Sequence, residues 1–188
     1  MTGLREQLGI CLTGRVCLMG LGNTDYGDDG FGVRLAEELR AVFPSDGGPE
    51  RAALPGEWRV VLAATSPERA IARVINEGFD QLVFLDAVEF AGAPGSVVFL
   101  DTRAVGARFP QISTHKISLG TLAQWAEANG ATRAWLLGVQ PESLRPGQPL
   151  TPTMRKSLEA LAELLGGLGL QARAQPPTDV RRAREVNA

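Results

Sequence analysis

Apolar and polar positions along the chain alternate in two periods. Arg15 to Gly20 is a short apolar run closed by glycine and reads as a buried strand. A glycine-rich loop, Gly20 to Gly27, follows. Asp28, Asp29 and Gly30 then open a stretch to Phe43 in which Phe31, Leu35, Leu39 and Val42 recur at helical spacing, with Arg34, Glu37, Glu38 and Arg40 between them. The pattern repeats. Trp58 to Ala63 reads as a strand. Ser66 and Pro67 supply a cap and a first helical position for a helix ending near Glu77, where Gly78 stops it. Leu82 to Asp86 is a third strand, with the acid at its carboxyl end. Ser96 to Leu100 is a fourth, and the Gly/Pro link before it is too short for a helical crossover, so antiparallel pairing is expected. Ser118 to Ala128 is helical in pattern, Ala134 to Val139 a fifth strand, and Thr153 to Leu165 a last helix. Pro44 to Gly56 is rich in Pro and Gly and reads as an exposed loop.

Strand alternating with helix predicts an α/β fold, a mostly parallel sheet with one antiparallel strand and helices on both faces. The length of 188 residues, 44% apolar and 21% charged, suits one domain with a real core. We assign that domain to residues 1–175. Residues 176–188 are charged, lack an apolar stripe and read as a loose tail. A net charge of −2 gives no electrostatic reason to expect nucleic acid or an anionic membrane as partner. No apolar run is long enough to span a bilayer, and Met1 to Gly14 does not read as a secretory signal. The two cysteines, Cys11 and Cys17, form no zinc or disulfide pattern and fit a reducing compartment. A cytoplasmic protein is expected.

In such sheets ligands bind beyond the carboxyl ends of the strands. Three chemically capable groups fall there: the Asp28–Asp29 pair, Asp86, and the single histidine, His115. Two carboxylates and an imidazole form an oxygen/nitrogen donor set suited to zinc, manganese, iron or nickel. Each has a plainer explanation. Asp28 or Asp29 could cap the following helix. Asp86 could cap a turn, although a carboxylate closing so apolar a run must be hydrogen-bonded, solvated or functional. His115 could be an ordinary loop histidine. Other site types are excluded. Gly20 and Gly22 resemble the start of a dinucleotide fingerprint, but Asp25 stands in the third glycine's place. There is no phosphate-binding Walker loop, no Gly-x-Ser-x-Gly elbow and no His-Glu-x-x-His helix.

Four segments, Gly20 to Gly32, Leu85 to Ala87, Ser113 to His115 and Leu137 to Glu142, resemble in order and spacing the motifs of the nickel-iron hydrogenase maturation endopeptidases. The resemblance spans roughly residues 15–170, and the formate-hydrogenlyase type is the most similar. It implies a twisted five-stranded sheet between helices. It also implies an enzyme that removes a short C-terminal extension from the hydrogenase large-subunit precursor once nickel is in place. The family's metal-contacting acids fall on Asp29 and Asp86, and its histidine on His115. Asp28 is expected to cap the helix. One stretch departs: where the family often has a glycine-bearing turn before the second helix, this chain has Ala63, Ala64 and Thr65, and alanine adopts positive φ only at a cost. A different turn, with consequences for substrate choice, is expected there.

On this reading nickel arrives with the substrate, the enzyme has no obligatory cofactor, and it works as a monomer. Asp29, Asp86 and His115 would engage the nickel and so position the scissile peptide. Metal polarisation of a carbonyl, or an aspartate acting as general base toward water, both fit as the chemical step. Two other readings use the same residues: a non-proteolytic nickel-dependent checkpoint or chaperone for the large subunit, and a conventional metallohydrolase with a tightly held ion and an enclosed pocket.

Overall fold

Val16–Leu21 (β1) is buried at every position, as a strand covered on both faces must be. It lies between the edge strand Trp58–Ala64 (β2) and the central strand Gln81–Ala87 (β3) of a five-stranded sheet completed by Val97–Asp101 (β4) and Arg133–Val139 (β5), in the order β2-β1-β3-β5-β4. Four strands run parallel, and β4 pairs antiparallel with β5 at one edge, as its short preceding link requires. The computed structural model describes residues 3–43, 56–65, 67–108, 118–128 and 131–174. Ser66, His115 and the tail lie outside these residues.

Alternate side chains of the strands go to two cores. Val16, Leu18, Val83 and Leu85 meet one face, covered by Leu4–Cys11 (α1), Phe31–Arg40 (α2) and Pro152–Ala174 (α6). Cys17, Met19, Leu82 and Phe84 meet the other, covered by Pro67–Asn76 (α3), Thr102–Arg108 (α4) and Leu119–Ala128 (α5). The result is the three-layer α/β arrangement expected from the alternation.

Three elements differ from the sequence reading. Helices α1 and α4 were not expected. The last helix does not stop at Leu165 but continues to Ala174, with Leu168 and Ala172 packed on the α1/α2 core. At the amino end of the sheet, Arg15 and Arg59 stack on Phe79 at 4.5 and 5.0 Å and pair with Glu57 and Glu77.

Strand order places the topological switch between β1 and β3. The chain leaves β1 toward β2 on one side, while β3 lies on the other. Such a crevice, at the carboxyl end of the strands, is where ligands bind in doubly wound sheets.

Candidate functional site

The segment after β1 is folded back against the sheet by two close approaches. Gly22 has φ +111°, and a Cβ there would come within 1.8 Å of the Asp29 carbonyl oxygen. Gly32, at the start of α2, would place a Cβ 1.9 Å from the Leu85 carbonyl oxygen and 2.6 Å from that of Leu21. Only glycine permits either contact. Together they press a short 3-10 turn, Gly27–Gly30, onto the carboxyl ends of β1 and β3.

Asp29 sits in this turn, partly buried. Its Oδ2 accepts a hydrogen bond from the Asn23 N–H at 2.8 Å. Asp86 stands at the end of β3, fully buried, and neither carboxylate oxygen has a hydrogen-bond partner among the described residues. A Cβ on Gly22 would lie 3.7 Å from Asp86 Oδ1, so the two aspartates flank one glycine. Burial, and then the nearby Asp29 carboxylate, push the Asp86 acid well above its ordinary 3.8, while the Ala87 backbone N–H pulls the other way. A desolvated carboxylate beside a second carboxylate is unstable as an anion. A cation placed against the pair would relieve both the desolvation and the repulsion, so the donor set fits a metal ion. His115, the third residue singled out in the sequence, lies outside the described residues, and no group of three potential ligands occurs among those described.

Asp28 is not a cap for its own helix. Neither the 3-10 turn nor α2 has a side-chain cap. Its buried carboxylate instead accepts from the Glu142 N–H (2.9 Å), the Ser143 N–H (2.9 Å), the Thr151 N–H (2.7 Å) and the Thr151 hydroxyl (3.1 Å). Thr151 immediately precedes α6, and its own hydroxyl accepts from Met154 N at 3.4 Å. Asp28 thus fastens the turn carrying Asp29 to the loop after β5 and to the start of α6. Gln140 does the same for the segment after Asp86, its Oε1 accepting from Phe90 N at 2.8 Å and Gly92 N at 3.2 Å. Sequence reasoning assigned no such role to Gln140. Its place directly after β5, before Pro141, was the available signal.

The turn expected to differ at Ala63 to Thr65 keeps a left-handed residue despite lacking glycine. Ala64 has φ +46°, and its carbonyl accepts from Gly22 N at 3.3 Å. The β1–β2 register shifts at this point, with Leu21 opposite Ala64.

A cleft of about 570 Å³ opens beside the site rather than over it, between the Thr24–Gly30 segment, α2 and α6. It includes neither aspartate. The cleft and the orphaned Asp86 carboxylate thus lie at different places at the sheet's carboxyl end. No helix among the described residues is long and apolar enough to cross a membrane.

A family model described as hydrogenase maturation protease, HycI, matches residues 33–167. The hydrogenase 2 maturation protease of Escherichia coli K12 is 31% identical over 159 residues, covering 82% of this chain and 90% of its own. The hydrogenase 3 maturation protease of the same organism is 28% identical over 151 residues, covering 80% and 88%. Among solved structures, the [NiFe] hydrogenase maturation protease HycI from Thermococcus kodakarensis KOD1 superposes with a TM-score of 0.73 at 25% identity, covering 87% of this chain and 99% of its own.

Proposed function

Because the chain belongs to the hydrogenase maturation protease family and is an endopeptidase of that kind, we propose that it removes the C-terminal extension of the nickel-iron hydrogenase large-subunit precursor after nickel insertion. Asp29, Asp86 and His115 recognise the nickel that the precursor carries. The observation supporting this reading is Asp86: fully buried, without a hydrogen-bond partner among the described residues, and set beside Asp29 at the switch point of the sheet.

The order of events follows from the electrostatics. Before substrate arrives, burial and Asp29 favour the protonated Asp86 acid. Approach of the substrate's cation reverses that preference, and Asp86 gives up its proton as it becomes a ligand. Asp29, oriented by the Asn23 N–H, supplies the second oxygen. Binding a metal that belongs to the substrate fixes the nearby peptide relative to the enzyme, and positioning of that kind supplies much of a rate gain. A precursor lacking nickel brings no cation to the pair, so the metal licenses the cut. The enzyme needs no cofactor of its own in this scheme. The proposed setting is the cytoplasm, in line with two free thiols.

The test is the intact mass of the large-subunit precursor, with and without nickel, after incubation with the wild type and with Asp86→Ala. The wild type is expected to remove a defined C-terminal peptide from the nickel-loaded form alone, and the folded variant to remove none. Cleavage by Asp86→Ala at the normal rate would overturn the ligand assignment. Nickel-dependent binding without any loss of mass would make the protein a checkpoint rather than a protease.

A further inference from the structure

Tyr26 and Leu144 are large apolar side chains left 46% and 41% exposed, one on the loop that leads into the Asp29 turn and the other on a loop held against it. Asp28 N donates to the Ser143 carbonyl at 2.9 Å, and Gly147 N donates to the Asp25 carbonyl at 2.7 Å. A Cβ on Gly27 would meet the Ser143 carbonyl oxygen at 2.8 Å and that of Arg145 at 3.3 Å. The backbone at Gly27 therefore lies against Ser143 to Arg145, which places Tyr26 and Leu144 on adjoining stretches. The Asp28 carboxylate, through its bonds to Glu142 and Ser143, locks this pairing from beneath. The Tyr26 carbonyl in turn accepts the Asp29 N–H at 3.2 Å, so the edge and the candidate ligand form one rigid unit.

We propose that Tyr26 and Leu144 form an apolar docking edge for the hydrogenase large-subunit precursor, receiving an apolar side chain of the polypeptide beside the scissile peptide. The inference rests on the proteolytic reading above. Continuity with the Asp29 turn selects this occupant: a polypeptide whose metal reaches Asp29 must pass over the loop that carries it. Exposed Asp25, Glu142 and Arg145 lie on the same two loops as the apolar pair, a mix of polar and apolar side chains suited to a small binding patch. Loops already fixed by hydrogen bonds lose little freedom on binding, which favours such a patch as an anchor. Ile10 and Leu170 are more exposed, at 66% and 52%, but lie on α1 and on the late turns of α6, at the amino end of the sheet.

The experiment compares the wild type, Tyr26→Ser, Leu144→Ser, the double variant and an Ile10→Ser/Leu170→Ser control. Kd for nickel-loaded precursor is measured by titration, and KM and kcat by intact-mass kinetics. All substituted positions are exposed, and thermal midpoints confirm folding. Each single change is expected to raise Kd and KM by roughly threefold to tenfold, and the double change by more, with kcat within about twofold and the control unchanged. A double variant with wild-type Kd and KM overturns the proposal, as does a loss confined to kcat. Self-association of the wild type that the double change abolishes, with Kd for precursor unaltered, gives the edge to a second copy of the chain and also overturns it. Failure of the wild type to process nickel-loaded precursor strikes the proteolytic reading instead, and the Kd series still decides the docking edge.

Discussion

Replacing Asp28 by Ala should be among the most damaging single changes in this molecule outside its apolar cores. The carboxylate is fully buried and accepts four hydrogen bonds, from Glu142, Ser143 and both donors of Thr151. Removing it leaves three backbone N–H groups and one hydroxyl to find other partners. Each buried donor left unpaired costs about 1–3 kcal/mol. Glu142 is exposed and Ser143 and Thr151 are only partly buried, so water recovers some of that, and we expect a net loss of about 3–5 kcal/mol. Against a typical total of about 5–15 kcal/mol, this is a large share of the stability. Asp28→Asn keeps the shape and one acceptor oxygen, and should lose roughly half as much. Urea unfolding followed by tryptophan fluorescence provides the assay. With a slope of about 2 kcal/mol per molar, the midpoint for Asp28→Ala should fall by about 2 M. Hydrogen exchange should speed first at the amides of Glu142, Ser143 and Thr151. A midpoint within about 0.5 M of the wild type, with those amides still protected, would refute the clamp.

Two further outcomes are expected. Ala64 holds φ +46°, a conformation that disfavours any side chain by about 1–2 kcal/mol, while glycine loses about 0.4–1 kcal/mol through its freer unfolded chain. Ala64→Gly should therefore stabilise by about 0.5–1 kcal/mol, read as a thermal midpoint raised by a few degrees; an unchanged or lowered midpoint would contradict the strained turn. Asp86 is raised in the folded state above its ordinary 3.8 by burial and by Asp29, so the folded protein binds the extra proton. Its unfavourable contribution is absent below that ordinary value and grows as pH rises from there toward the folded-state value. The stability of Asp86→Asn relative to the wild type should accordingly increase from pH 3.5 to neutrality, and a difference independent of pH would argue against a desolvated acid.

The sheet was readable because its strands are short runs that are apolar at nearly every position. Asp86 stood out because it closes such a run, and Asp29 because it stands in an acidic pair between the glycine-rich loop after β1 and the helix that follows. What escaped the sequence depends on distant partners. Asp28 looks like a local helix cap, but its acceptors serve residues 114 to 123 positions away. Helix α1 is eight residues long with only Leu8 fully buried, too little stripe to register as amphipathic. The glycines at 166, 167 and 169 imitate a helix stop. At 169 the glycine is there for packing, since a Cβ would lie 2.4 Å from Phe43 and 2.9 Å from Trp58. For the fourth strand, the link length predicted direction, but nothing local named β5 as its neighbour.

The switch-point location of the two aspartates also bears on when the site comes into being. Asp29 follows β1 and Asp86 ends β3, and the two are brought together only when Gly20 comes opposite Leu85 across a parallel pair with all of β2 and α3 looped out between them. Parallel pairings of that span form late, because loop closure opposes them until much of the chain has condensed. A nascent or half-folded chain therefore carries both acids without possessing the pair. With the pair in the role proposed above, the peptidase would be silent during its own synthesis, and recovery of its activity on refolding should track the slowest structural phase.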